Sequence, residues 1–281
     1  MTLTLAAAVL FAALLHALWN SFVKLGADRL ANVVVIAATG ALLSLPVALW
    51  VPLPSATALP LLAGSVMTHV VYYYCLINAY RFGDLSRVYP LARGLAPPLV
   101  AISAALVAGE APTLHEALGV ALVSIGIASL VLAPGGVGGG DARRGLGFAL
   151  ATGAMIATYT VLDGLGGRRV ANPLSYIAWL NIGEAVGLLA VAAWRRGAAL
   201  GPAMRADLRR AVIAGVMATV AYAIVIAAMS RGGAMAQVSA LRETSVVIAA
   251  LIGTLLLGEP GRARRVTAAV IVAAGAAVMH L

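Results

Sequence analysis

Apolar residues run along this chain in long stretches, separated by short connections that are polar or rich in Gly and Pro. A helix that crosses a bilayer needs about 20 mostly apolar residues. Ten stretches approach that length: Leu3–Val23, Ala31–Val51, Leu59–Tyr80, Leu85–Gly109, Leu114–Leu132, Gly145–Leu165, Pro173–Trp194, Ala211–Met229, Met235–Gly258 and Val266–His280, the last being short for a span. Open β structure is excluded in lipid, because every backbone group must be satisfied within its own segment. The pattern predicts an all-α polytopic membrane protein with ten transmembrane helices.

One stretch occurs twice. Residues 79–110 lie without a gap on residues 228–259, and the identical pairs include Gly83/Gly232, Arg93/Arg242, Gly109/Gly258 and Glu110/Glu259. Apolar matches carry little information in such a chain. An arginine inside an apolar run and a Gly-Glu at its end carry more, and a self-match near half the chain length points to duplication. The Gly-rich stretch at Pro134–Asp141 reads as the linker between halves. The expected organisation is a five-helix repeat over 1–133, a linker over 134–144 and a second five-helix repeat over 145–281. Five helices per unit is odd, so the second copy enters from the opposite side. Inverted repeats of this kind are the architecture of many secondary transporters, with the site near the midplane.

Composition sharpens the class. The chain is 62% hydrophobic and only 10% charged, against about 25% charged for soluble domains. A lone soluble domain is excluded. The net charge of +9 does not point to nucleic acid, because Lys and Arg cluster between apolar runs. Lys24, Arg29, Arg81, Arg87, Arg143, Arg144, Arg195, Arg196, Arg205, Arg209, Arg210, Arg262, Arg264 and Arg265 follow the odd-numbered runs. Only Arg168, Arg169 and Arg231 follow the others. The positive-inside rule then places both termini outside. The single cysteine, Cys75, allows neither a disulfide framework nor a metal cluster. The first run has no basic n-region and no small-residue cleavage site, so it reads as a retained helix.

Ionisable groups at membrane depth are candidate sites by default. Arg93 lies inside its run with Tyr89 one turn before it, and Pro90, Pro97 and Pro98 suggest a broken helix. Its repeat mate is Arg242, followed by Glu243. Two readings stay open: the arginines bind a carboxylate or phosphate in a central cavity, or they pair with Glu243 to lock or gate the halves. His16, Asn20 and Lys24 share a face, with Trp19 beside it; Trp19 also suits an interfacial anchor. Among Tyr72, Tyr73 and Tyr74, Tyr73 or Tyr74 is the expected pocket residue, with Asn78 on the Tyr74 face. Tyr159 and Asp163 stack, though Asp163 also suits a loop with Gly164, Gly166 and Gly167. Tyr176, Trp179, Asn181 and Glu184 share one run. Glu184, near its middle, is a coupling-proton candidate or a structural hydrogen-bonding group, and Asp163 a second coupling or gating candidate. Tyr222 is an isolated polar aromatic. The cavity is expected between the runs at 3–23, 59–80, 85–109, 145–165, 211–229 and 235–258, with Tyr73, Tyr74, Trp19, Tyr89 and Trp179 stacking or packing. No phosphate loop, metal-ligand cluster or nucleophile elbow is written in the chain, so neither an enzyme nor a cofactor is expected.

The two Gly-Glu endings, LVAGE at Leu106–Glu110 and LLLGE at Leu255–Glu259, with HALWN (His16–Asn20), YPLARG (Tyr89–Gly94), YTVLDGLGGR (Tyr159–Arg168) and LRETS (Leu241–Ser245), resemble the drug/metabolite transporter superfamily in its EamA-type branch. The resemblance covers essentially the whole chain. It implies metabolite export across the bacterial inner membrane, with amino acids, including aromatic and neutral ones, a common substrate class. It also implies both termini in the cytoplasm, against the charge count. The expected partners are a small-molecule substrate and the lipid bilayer, with no nucleic acid, in a monomer or weak homo-oligomer. The alternatives are efflux of drugs or other metabolites, and a channel or non-transporting scaffold. A deep acid in the first run would favour cation extrusion; His16 and Lys24 stand there instead.

Overall fold

The computed structural model describes residues 1–24, 26, 28–82, 85–130, 140–255 and 262–279. Among them there is no strand. The helices are α1 (Leu3–Lys24), α2 (Arg29–Trp50), α3 (Leu59–Phe82), α4 (Leu85–Ala108), α5 (Leu114–Ser129), α6 (Gly140–Arg168), α7 (Pro173–Arg196), α8 (Leu200–Ala206), α9 (Leu208–Ser230), α10 (Met235–Leu255) and α11 (Arg262–Val278). Over their described residues, all ten apolar runs are helical, save the last such residue in some of them. Seven helices among the described residues are long and apolar enough to cross a membrane, and α5 is a shorter apolar helix. The second Gly-Glu ending, Gly258 and Glu259, and the linker over 134–139 lie outside the described residues. Residues 140–144, expected as linker, belong to α6.

Two local expectations are corrected and one element is new. The prolines do not break α4, which runs unbroken through Pro90, Pro97 and Pro98. Each proline removes one helical N–H and frees the carbonyl four residues earlier, and a bundle can absorb that loss through neighbouring groups. Asp163, Gly164, Gly166 and Gly167 form no loop; they are the last turns of α6. Their missing side chains let other helices in. A Cβ on Gly166 would sit 2.1 Å from the Tyr176 ring, one on Gly164 2.8 Å from Met235 Sδ, and one on Gly167 2.5 Å from Ser230 Oγ. A 3₁₀ turn at Gly197–Ala199 and the short α8 join α7 to α9. They carry no long apolar run, so nothing in the pattern announced them.

The helix ends follow ordinary capping chemistry. Asp28 accepts from the Ala31 N–H at the start of α2, and Asn172 from the Leu174 N–H before Pro173 of α7. Thr113 and Glu116 form a reciprocal capping box on α5. Trp50 and Trp194, 90% and 84% exposed, stand at the ends of α2 and α7, where an amphipathic ring suits the headgroup layer.

Packing is dense where residues are small. Gly119 and Gly275 bring α5 and α11 together, since a Cβ on Gly275 would meet the Gly119 carbonyl at 2.8 Å. Gly153 of α6 lies as close to the Ala92 carbonyl of α4. Small residues at contacts are what helix association in lipid relies on. The principal contacts are α1 with α9 and α10, α2 with α7 and α9, α3 with α6 and α7, α4 with α5, α6 and α10, and α11 with α5 and α10. Exchange α1 to α5 for α6, α7, α9, α10 and α11, and these contacts map onto one another. The start of α1, the end of α11 and the turns after α2, α4, α6 and α9 share one end of the bundle, here the terminal end. The other is the basic end.

Candidate functional site

A cavity of about 80 Å³ lies in the middle of the bundle, bounded by α1, α2, α3, α4, α6, α7, α9 and α10. That is room for roughly five to eight water molecules. Of the expected residues, His16, Trp19, Tyr73, Tyr159, Glu184, Tyr222, Arg93 and Arg242 line it. The pattern did not point to α2, which contributes Ile36, Ala37 and Gly40, nor single out Ala218 and Thr219 of α9. These are apolar or small residues whose identity carries no chemical signal. Asn181 of α7 also lines the cavity and donates from Nδ2 to Ser44 Oγ at 2.9 Å.

The arginine side of the cavity is one network. Arg93 is 2% exposed, Arg242 2%, and Glu243 fully buried behind them. Arg93 Nη1 donates to Glu243 Oε1 at 3.1 Å and Oε2 at 3.3 Å. Arg242 donates to the same Oε1 from Nε at 3.2 Å and Nη2 at 3.0 Å. Glu243 therefore accepts from both repeat-mate arginines, one on α4 and one on α10. Both pairings raised by the sequence occur at once. Each guanidinium also lies over a ring, Arg93 over Tyr89 at 5.4 Å and Arg242 over Tyr159 at 5.9 Å.

This network holds more donors than acceptors. Two cations face one carboxylate, leaving one net positive charge. Arg93 Nη2 points at His16 Nε2, 2.5 Å away, while Trp19 Nε1 points at His16 Nδ1, 3.2 Å away. Arginine and tryptophan nitrogens only donate, and a neutral imidazole has one accepting nitrogen. One of these two N–H groups therefore lacks an acceptor in this arrangement. A surface with spare N–H donors and an uncancelled positive charge is built to meet an anionic or acceptor-rich group.

The opposite side carries carboxyls. Glu184 lines the cavity together with Tyr73. Asp163 is fully buried one layer behind it. Its Oδ1 accepts from the Tyr176 hydroxyl at 3.0 Å, and its Oδ2 from the hydroxyl of Tyr222, whose ring lines the cavity. His69, also in the lining, stacks on Tyr159 at 4.0 Å and meets Tyr222 edge-on. An aromatic wall thus joins the two polar sides.

Several candidates stand elsewhere. Tyr74 is 45% exposed on the outer surface, under the Arg195 guanidinium at 5.2 Å; Tyr72 stands in the lining beside Tyr73 instead. Asn78 donates back to the Tyr74 carbonyl on the same outward face. The buried face of α3 runs through Leu62, Ser65, His69, Tyr72, Cys75 and Ala79, a helical stripe that includes Tyr72 and leaves Tyr74 on the far side. Asn20 donates to the His16 carbonyl, spending its amide within α1. Trp179 is half-buried away from the lining, packed against the core. Tyr89 supports Arg93 from behind rather than facing the cavity. Among the described residues no His, Cys, Asp and Glu group is placed to hold a metal ion.

No curated protein matches the sequence. A solved crystal structure of another protein is similar in fold, with a TM-score of 0.76 over 98% of this chain and 94% of that one, at 17% identity. Residues 143–281, which include α7 to α11 and most of α6, match the EamA-like transporter family; the second half of this chain thus carries a domain of that family, which implies a membrane transporter of the drug/metabolite type.

Proposed function

We propose that this protein is a secondary carrier that exports a small metabolite bearing an anionic group, an amino acid foremost, from the bacterial inner membrane by alternating access. The two halves, 1–133 and 145–281, act as inverted repeats around the central cavity, a reading supported by the exchange symmetry of the helix contacts. The observation that carries the substrate is the donor surplus at Arg93 and Arg242. A ligand carboxylate accepts whichever of the Arg93 and Trp19 N–H groups His16 leaves unmet, and Glu184 with the Tyr73 side receives an amino group. Tyr159, Tyr222 and Trp19 enclose the ligand's apolar part. The cavity lies well below the roughly 300–1,000 Å³ of sites for drug-sized ligands, which favours a compact amino acid over a bulky drug. Asp163 and Glu184 are the coupling candidates, since buried carboxyls at membrane depth are costly unless used.

Counterflow in proteoliposomes tests this. Vesicles preloaded with unlabelled alanine, leucine or phenylalanine should take up the labelled amino acid transiently above equilibrium, saturably, and Arg93→Ala should abolish it. Linear, unstimulated flux would mark a channel. Absence of counterflow for every amino acid tried would remove the substrate class.

A further inference from the structure

At the terminal end, the connection between α4 and α5 reaches from one half of the molecule into the other. Helix α4 finishes at a left-handed glycine: Gly109 has φ +69°, and the Glu110 N–H donates to the Ala104 carbonyl six residues back at 3.1 Å. Glycine takes that left-handed conformation without a Cβ penalty, and the residue after it leaves the helix in a fixed direction. The Gly-Glu ending is therefore an aiming device for a carboxylate. Glu110 Oε1 accepts from Nη1 of Arg168, the last residue of α6, and Oε2 accepts from the Met235 N–H that opens α10, at 3.0 Å. Arg168 also donates from Nε to the Met229 carbonyl at 2.9 Å and from Nη2 to the Gly233 carbonyl at 3.0 Å. The Glu110 carboxylate thus fastens the end of α4 to α6 and α10, and Arg168 carries the link on to α9. Smaller links between the same halves lie at the same end: Ser55 Oγ to the Arg169 carbonyl at 2.7 Å, and Ser175 Oγ to the Pro52 carbonyl at 2.6 Å.

The position relative to the cavity follows from α6. Tyr159 lines the cavity, Gly164 touches Met235, and Arg168 lies about 13 Å from Tyr159 along the axis at 1.5 Å per residue. Met229 and Met235, both fully buried, fill the neighbouring layer. The exposure of the pair also suits its task. Arg93 and Glu243 are sealed from water, and separating them would strand two buried charges. Arg168 and Glu110 are 27% and 22% exposed, so water can hydrate each when they part, and separation costs far less.

We propose that Glu110 and Arg168 form the latch that closes the terminal end of the transport passage, and that parting them opens that end. The proposal rests on the carrier reading, because only a passage opening at its two ends in turn needs a releasable closure. The test needs no substrate. In a Cys75→Ser background, which has no other cysteine, Ala218→Cys in the cavity wall is labelled with a membrane-impermeant maleimide in right-side-out and inverted vesicles. Glu110→Gln and Arg168→Gln should each raise labelling from the terminal end about tenfold, equivalent to about 1.4 kcal/mol, without raising it from the basic end. Arg168→Lys, which keeps the charge but loses the planar fork, should fall between. Oxidised Glu110→Cys/Arg168→Cys should protect the thiol at position 218 from that end, and reduction should restore its labelling, read by mass on the peptide that carries position 218 so that the two freed thiols are counted apart. Unchanged labelling in both Gln variants, an equal rise from both ends, or labelling that persists through the cross-link would each overturn the latch. A failed carrier reading shows instead as missing counterflow, with the sided labelling response intact.

Discussion

Around Glu243, two guanidinium groups share one carboxylate; around Asp163, two tyrosine hydroxyls share another. Both carboxyls are fully buried, both flank the same cavity, and both sit in helices at membrane depth. The first is neutralised by more countercharge than it needs. The second is held by neutral donors alone among its hydrogen-bond partners. The difference assigns distinct work to the two sides. Two guanidinium groups on one carboxylate leave the Glu243 side with a surplus of positive charge and of N–H donors. The hydroxyl cradle at Asp163 can hold a carboxyl with or without a proton, because a tyrosine hydroxyl both donates and accepts.

The sharpest way to break this comparison is to delete the shared carboxylate. Glu243→Ala leaves Arg93 and Arg242 buried, unpaired and of like sign, and should cost about 3–5 kcal/mol of stability, read as a large drop in the melting midpoint of detergent-purified protein. A loss below about 1 kcal/mol would mean that the arginines find other partners. Next comes Tyr176→Phe, which removes one hydroxyl from Asp163 and leaves a buried acceptor short; about 1–3 kcal/mol is expected in the same melt. The mildest is Asp163→Asn. An amide keeps the shape and one accepting oxygen, and its NH₂ can donate to a reoriented tyrosine hydroxyl, so the cost should be about 1 kcal/mol or less. If Asp163→Asn destabilised as much as Glu243→Ala, the carboxylate charge itself would be structural, and the contrast between the two sides would vanish.

How much of this was readable in the sequence depends on the kind of signal. The helices were legible because lipid demands length and apolarity, and both are written locally. Arg93 and Arg242 were legible because duplication places them in register and charge in an apolar run is conspicuous. Their convergence on one carboxylate was left as one of two alternatives, since sequence spacing says nothing of which helix faces which. Of the expected Tyr73 and Tyr74, Tyr73 lines the cavity and Tyr74 does not, while Tyr72 joins it; three adjacent rings cover most of the helix circumference, so spacing alone does not say which faces inward. The glycines at 164, 166 and 167 read as a loop because glycine is a poor helix former. The competing cause, a close approach by Tyr176, Met235 and Ser230, is a property of the assembled bundle. Asp163's two tyrosine partners come from α7 and α9 and left no mark near Asp163 itself.

The glycines at the end of α6 have one more consequence. Within a single turn, an added carbon would stand 2.1 Å from the Tyr176 ring at position 166, and at positions 164 and 167 it would force Met235 Sδ at 2.8 Å and Ser230 Oγ at 2.5 Å to move. A saturation scan of the gene should find that stretch among its least forgiving codons, although none of the three supplies a side chain to any ligand. Intolerance to substitution there would map where helices touch, and would say nothing about what the protein carries.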